Sequence, residues 1–167
     1  MKRVSLSRLG LVLVLAIAGC ASQTTSVSQI RRATVVDVVD GDTIRARIGA
    51  NVESIRLIGI DTPETKHPTK GVQCFGPQAS LFLTRFLPSG TEIRIERDAQ
   101  ARDAYGRLLL YVFRTVDDTE LFVNREIVLR GFARLLTIEP NSRYHEVFVQ
   151  AAFAAQQHAR GLWRACK

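Results

Sequence analysis

Two turn signals interrupt residues 32–60, and the three pieces they separate are all patterned as strands. Arg32 to Val39 is β-branched and apolar and runs into Asp40-Gly41, a strong short-range hairpin signal. Thr43 to Ile48 alternates, with Ile44, Ala46 and Ile48 on one face and Arg45 and Arg47 on the other. Gly49-Ala50-Asn51 makes the second turn, and Val52 to Ile60 is the third strand. Three consecutive strands of this kind form a meander, so the fold is built on a sheet.

The remainder extends that sheet. Asp61 to Gly76 is a long loop, and loops of that length inside a compact domain usually carry function. Pro77 opens a helix that runs to about Leu87, with Ala79, Leu81, Phe82, Phe86 and Leu87 at helical spacing. Pro88-Ser89-Gly90 stops it, and Thr91 to Arg97 and Arg107 to Arg114 supply the fourth and fifth strands. Asp117-Asp118 is a turn, and Val123 to Arg130 is a helix ended by Gly131. Phe132 to Ile138 is a short extended piece, and Ser142 to Arg160 is a final helix stopped by Gly161. Five strands in a meander-and-return order, with helices inserted late, give an α+β chain. The fold expected is a closed five-stranded Greek-key β-barrel of the OB-fold type with about three helices. A fold of this kind binds oligonucleotides in some proteins, but function has to be argued from the site.

The barrel is preceded by a leader. Lys2, Arg3 and Arg8 form a positive n-region, and Leu11 to Ala18 is an apolar stretch too short to span a bilayer. Ile17-Ala18-Gly19-Cys20 resembles a bacterial lipobox. That resemblance implies cleavage before Cys20, diacylation of its thiol and acylation of the new amino terminus, and more than one acyl chain anchors stably. The alternative is an ordinary secretory leader beside a chance cysteine. The expected organisation is a signal peptide over 1–19, a lipidated Cys20 and flexible Ser/Thr/Gln-rich tether over 20–29, and a folded domain over 30–167. The product would be exported and lipid-anchored to a bacterial membrane. Removing the leader's three basic residues from the 23 in the chain leaves 20 against 16 acids, a formal +4. That is a mild bias toward polyanions and does not by itself identify a nucleic-acid binder. Cys74 and Cys166 remain, and export favours a disulfide between them over two buried free thiols.

The chemistry concentrates around Arg56 to Gly71. Asp42 follows the first turn and Asp61 ends the third strand, so pairing of strands two and three brings both acids to one rim of the barrel. Two close carboxylates repel and need a proton or a cation between them. A hard, oxygen-ligated cation, Ca2+ or Mg2+, suits them. His67, His145 and His158 are scattered, and no Cys/His spacing suggests zinc. Glu64, held near by the rigid Pro63 turn, can position or deprotonate a water. Arg56 and Arg107 can grip phosphate oxygens through the guanidinium fork.

The segment Asp61-Thr62-Pro63-Glu64-Thr65-Lys66-His67-Pro68, with Lys70-Gly71-Val72 and Gly76-Pro77, resembles the active-site loop of the micrococcal (staphylococcal) nuclease family. Val39-Asp40-Gly41-Asp42-Thr43 is similar to its upstream metal motif. Asp103, Tyr105-Gly106-Arg107 and Leu110 to Val112 are similar to its third motif, and Asn124, Gly131 and Ala133 also fit. The resemblance covers roughly 32–163. It implies that Asp42, Asp61 and the Thr62 carbonyl hold calcium (Ca2+), that Glu64 is the general base, that Arg56 and Arg107 hold the phosphate, and that Tyr105 contacts a substrate phosphate. The implied activity is Ca2+-dependent hydrolysis of DNA and RNA, leaving 3′-phosphates, by a monomer. Leu136-Thr137-Ile138-Glu139 stands where that family places two tyrosines, and Ala104 replaces its lysine. These departures bear on base affinity more than on the chemistry. Two other classes compete: a catalytically inactive OB-fold module that only binds nucleic acid, and a structural envelope lipoprotein.

Overall fold

The computed structural model describes residues 31–65 and 71–166. The leader, the tether, Cys20 and His67 lie outside the described residues. The chain runs β1 (Arg31–Asp40), β2 (Thr43–Ile48), β3 (Asn51–Leu57), β4 (Ile60–Asp61), α1 (Gly76–Phe86), β5 (Glu92–Arg102), β6 (Leu108–Val116), β7 (Thr119–Phe122), α2 (Val123–Leu129), β8 (Arg134–Leu135), α3 (His145–Gln157) and the one-turn α4 (Leu162–Ala165).

Strands β3, β2, β1, β5 and β6 pair in that order, each antiparallel to the next. The sheet closes on itself because β3 also pairs with β6, in parallel, with Arg56 opposite Leu109. The result is the five-stranded mixed barrel with three main helices that the sequence implies. Closure removes the open edges, and register shifts in β1 near Asp37 and Asp40 add the local twist that a small barrel needs. Alternation along β2 and β3 is as expected: Ile44, Ala46, Ile55 and Leu57 are fully buried, while Arg45 and Arg47 face out.

Four elements differ from expectation. The third strand stops at Leu57, because Ile58-Gly59 turns the chain before the two-residue β4. Gly59 has φ +83°, and a Cβ on it would sit 2.2 Å from the Phe148 ring, so α3 packs directly on that turn. On α1 it is Leu83, not Leu81, that fills the core; Leu81 is half exposed. The final helix starts at His145, since Arg143 and Tyr144 are drawn instead onto Asp98 and Glu96 of β5. β7 was not expected, although the Asp117-Asp118 turn before it was. It pairs with β6 through a two-residue turn in which Asp117 and Asp118 both have positive φ.

One buried polar side chain ties the barrel to the loop beyond it. Asn124, at the start of α2, is wholly inaccessible. It accepts from the Val112 amide at 2.9 Å and donates to the Ile58 carbonyl at 2.9 Å. The turn that leads into Asp61 is therefore pinned to β6 and α2 together.

Candidate active site

The β1–β2 turn delivers Asp42. Its Oδ1 accepts from the Thr43 hydroxyl at 2.9 Å, and its Oδ2 accepts from the Thr62 amide and hydroxyl, both at 3.1 Å. Gly41 allows this contact, because a Cβ there would lie 2.8 Å from the Thr62 Oγ1. Asp42 and Thr62, twenty residues apart, are thus locked into one buried corner.

Arg56 projects from β3 into the same corner. Its Nη1 donates to the carbonyls of Leu57 and Ile60 at 2.8 and 2.7 Å, which fixes the guanidinium plane. Its Nη2 lies 3.2 Å from both Asp42 Oδ2 and Asp61 Oδ1. Partial burial raises the Asp61 carboxyl above the usual range; Arg56 pulls it down, while Asp42 and Glu64 push it up. Burial likewise raises Asp40, and the neighbouring Glu64 and Asp42 carboxyls add to it, against hydrogen bonds from the Gly41 amide and the Thr65 hydroxyl.

Arg107 reaches the site from the turn between β5 and β6. Asp103 holds it: the Arg107 Nε donates to Asp103 Oδ2 at 2.7 Å and its amide to Asp103 Oδ1 at 2.9 Å. Burial pushes Asp103 up, but these bonds and the Tyr105 amide outweigh it and hold the carboxyl below its ordinary value. The far end of Arg107 donates to the Thr43 hydroxyl at 3.4 Å. Tyr105 is 86% exposed and its ring centroid lies 5.5 Å from the Arg107 guanidinium carbon.

Asp42, Arg56, Asp61, Thr62, Glu64 and Arg107 all line one cleft of about 400 Å³. The structure therefore brings the six expected residues together, with Tyr105 on an adjoining apolar cleft of about 390 Å³ that shares both arginines. Leu136 and Ile138 line that second cleft. Cys74 and Cys166 form a disulfide. Three further residues shape the site and went unassigned in the sequence: Asp40, which lines the cleft; Asp103, which orients Arg107; and Gln73, whose side chain accepts from the Glu64 amide. Asp40 and Asp103 stand inside motifs read from the sequence, there without a role of their own, whereas Gln73 left no signal.

Among the described residues, no three His, Cys, Asp or Glu side chains are grouped as a self-sufficient metal centre. The donor set is still that of a hard cation. Asp42 and Asp61 offer carboxylate oxygens 3.2 Å from a shared guanidinium nitrogen, and the Asp42 and Glu64 carboxylates raise the proton affinity of both Asp40 and Asp61. A divalent cation held by these oxygens would relieve that repulsion.

Residues 54–165 match the family described as staphylococcal nuclease homologue. The chain is 39% identical over 129 residues to the thermonuclease of Staphylococcus hyicus, covering 77% of this chain and 73% of that protein. It is 38% identical over 126 residues to the thermonuclease of Staphylococcus intermedius, covering 75% and 72%. It is also 38% identical over 127 residues to the SPbeta prophage-derived endonuclease YokF of Bacillus subtilis, covering 75% of this chain and 41% of that one.

Proposed function

Since the chain belongs to the staphylococcal nuclease family, we propose that it is a Ca2+-dependent endonuclease that hydrolyses DNA and RNA to 3′-phosphorylated products. The observation that carries this reading is the convergence of two guanidinium groups and the carboxylates of Asp42, Asp61 and Glu64 on a single cleft. A phosphodiester is anionic and repels an anionic nucleophile, so an effective site needs fixed positive charge around the phosphate and a base beside the water.

Each residue then has a task. Arg56 and Arg107 bind the non-bridging phosphate oxygens, and both are preorganised, Arg56 by two carbonyls and Arg107 by Asp103. Glu64 takes a proton from the attacking water. A bond forms from the water oxygen to phosphorus, the bond to the 5′ oxygen breaks and that oxygen takes up a proton from solvent, and the arginines offset the charge that grows on the phosphoryl oxygens. Asp42, Asp61 and the Thr62 carbonyl would hold Ca2+, which supplies further positive charge against the phosphate when bound. The apolar cleft beside Tyr105, with Leu136 and Ile138, suits a nucleobase, and Tyr105 lies where it can touch a neighbouring phosphate.

Export and anchoring belong to the same proposal. The lipobox-like Ile17-Ala18-Gly19-Cys20 supports a lipid-anchored envelope protein, and the Cys74–Cys166 disulfide suits an oxidising compartment. The protein would act there as a monomer. Metabolic labelling with palmitate tests the anchor: label should enter the wild type and be lost in Cys20→Ser, and label retained in the variant refutes it. Activity is tested by incubating purified protein with plasmid and with RNA, in Ca2+ or in chelator. Degradation in Ca2+ alone is expected. A shifted but intact band would mean a binding module, and neither effect would mean a structural protein.

A further inference from the structure

Glu64 lies in a segment without helix or strand, so no helical or ladder hydrogen bonds fix its backbone. The Glu64 carboxylate accepts from the Thr65 amide at 3.0 Å and neighbours Asp40, and Gln73 clasps the Glu64 backbone on both sides. The Glu64 amide donates to the Gln73 Oε1 at 2.9 Å, and the Gln73 amide donates to the Glu64 carbonyl at 2.9 Å. Gly76 closes the same corner, where a Cβ would lie 2.8 Å from the Pro63 carbonyl oxygen and 3.0 Å from that of Glu64. Gln73 is itself on exposed, irregular chain. Its neighbour Cys74 is bonded to Cys166, 92 residues further on. Cys166 caps α4, which is docked firmly: Leu162 is buried and its amide donates to the Gly131 carbonyl at 2.8 Å. Gly131 and Gly161 meet there with no room for a Cβ on either. A continuous line of bonds thus runs from the packed C-terminal end through the disulfide and Gln73 to Glu64.

We propose that Gln73 is a positioning residue for Glu64 and that the Cys74–Cys166 disulfide holds Gln73 in that role. This rests on the reading of Glu64 as the base. A base displaced by about 1 Å loses turnover steeply, whereas phosphate affinity resides in Arg56 and Arg107, which the clasp does not touch. Cys74 is exposed, so a dithiol can reach the bond. Its thiolates break the S–S bond and deliver two electrons, two protons complete the cysteine thiols, and the reagent closes to its own disulfide.

The test uses the full chain as wild type, Gln73→Ala and Gln73→Glu, each oxidised and each reduced with dithiothreitol, below the melting temperature of every form. Two quantities are read: kcat and KM on a DNA oligonucleotide in Ca2+, and amide hydrogen exchange over residues 61–65. Gln73→Ala should lower kcat about tenfold or more with KM within about twofold, and should speed exchange at Glu64 while barrel amides keep their protection. Gln73→Glu, which retains an acceptor oxygen, should restore both. Reduction should move the wild type the same way and add little to Gln73→Ala. Unchanged exchange at Glu64 in both Gln73→Ala and the reduced wild type overturns the proposal, as does exchange that rises across the whole barrel. A kcat unaffected by Gln73→Ala in an active enzyme overturns it too and leaves the nuclease reading intact. A wild type that never cleaves, yet shows the local exchange response, sinks the nuclease reading and supports the clamp.

Discussion

Arg56 shows how a single side chain organises the site. Its guanidinium is committed to two carbonyls and faces two carboxylates, a planar fork that an ammonium cannot reproduce. Arg56→Lys should therefore cost about 3 kcal/mol of transition-state stabilisation, roughly 10²-fold in kcat/KM, measured by steady-state kinetics with a melting curve run alongside. Glu64→Gln keeps the shape but cannot accept a proton, so it should bind a nucleotide normally and cleave far more slowly; full rate in that variant would falsify the base assignment. Asp103 carries a pH signature. Its folded carboxyl titrates below the ordinary 3.8, so its bonds to Arg107 contribute stability in full above that value and lose it as pH falls through the folded pKa. The stability gap between wild type and Asp103→Asn should be open at pH 7 and narrow as pH falls below the ordinary carboxylate range and through the folded pKa, followed by urea unfolding at each pH. Residue types at the site were readable because each motif sits beside a turn or a strand end. The partners that orient them were not. The carbonyls of Leu57 and Ile60 reach Arg56, and Gln73 reaches Glu64, only once the loops have taken their conformations.

At the scale of elements, the turn between β3 and β4 matters most. It needs the left-handed backbone of Gly59 and places that residue against the Phe148 ring of α3. Gly59→Ala incurs the left-handed penalty of roughly 1–2 kcal/mol plus overpacking of similar size, so a loss of about 3 kcal/mol is expected by chemical denaturation. Because Asp61 follows two residues later, activity should fall further than a comparable destabilisation elsewhere would cause. Strands β1, β2 and β3 could be read from alternation and turn residues, since each buries one face. β7 could not: it is four residues long, Thr119–Phe122, and its Asp117-Asp118 turn lacks the glycine that usually marks a two-residue hairpin. The start of α3 was misplaced because Tyr144 spends its hydroxyl on Glu96, a partner 48 residues away that helical periodicity cannot reveal.

The whole molecule is held by two long-range closures. One is covalent, joining Cys74 to Cys166 across most of the chain. The chain-entropy gain for a loop of about 100 residues is about 4.7 kcal/mol, and observed values are typically about 2–4. The Cys74→Ser/Cys166→Ser double variant should therefore lose about 3 kcal/mol in a guanidinium chloride titration; an unchanged midpoint would contradict this. The other closure is the parallel pairing of β3 with β6, whose rungs put Arg56 opposite Leu109 and bring two segments more than fifty positions apart side by side. β6 begins one residue after Arg107, so the same seam brings Arg56 and Arg107 to one cleft. A nascent or nicked polypeptide that has not joined these strands keeps its guanidinium groups apart, so on the proposed reading it should leave any polynucleotide it meets intact.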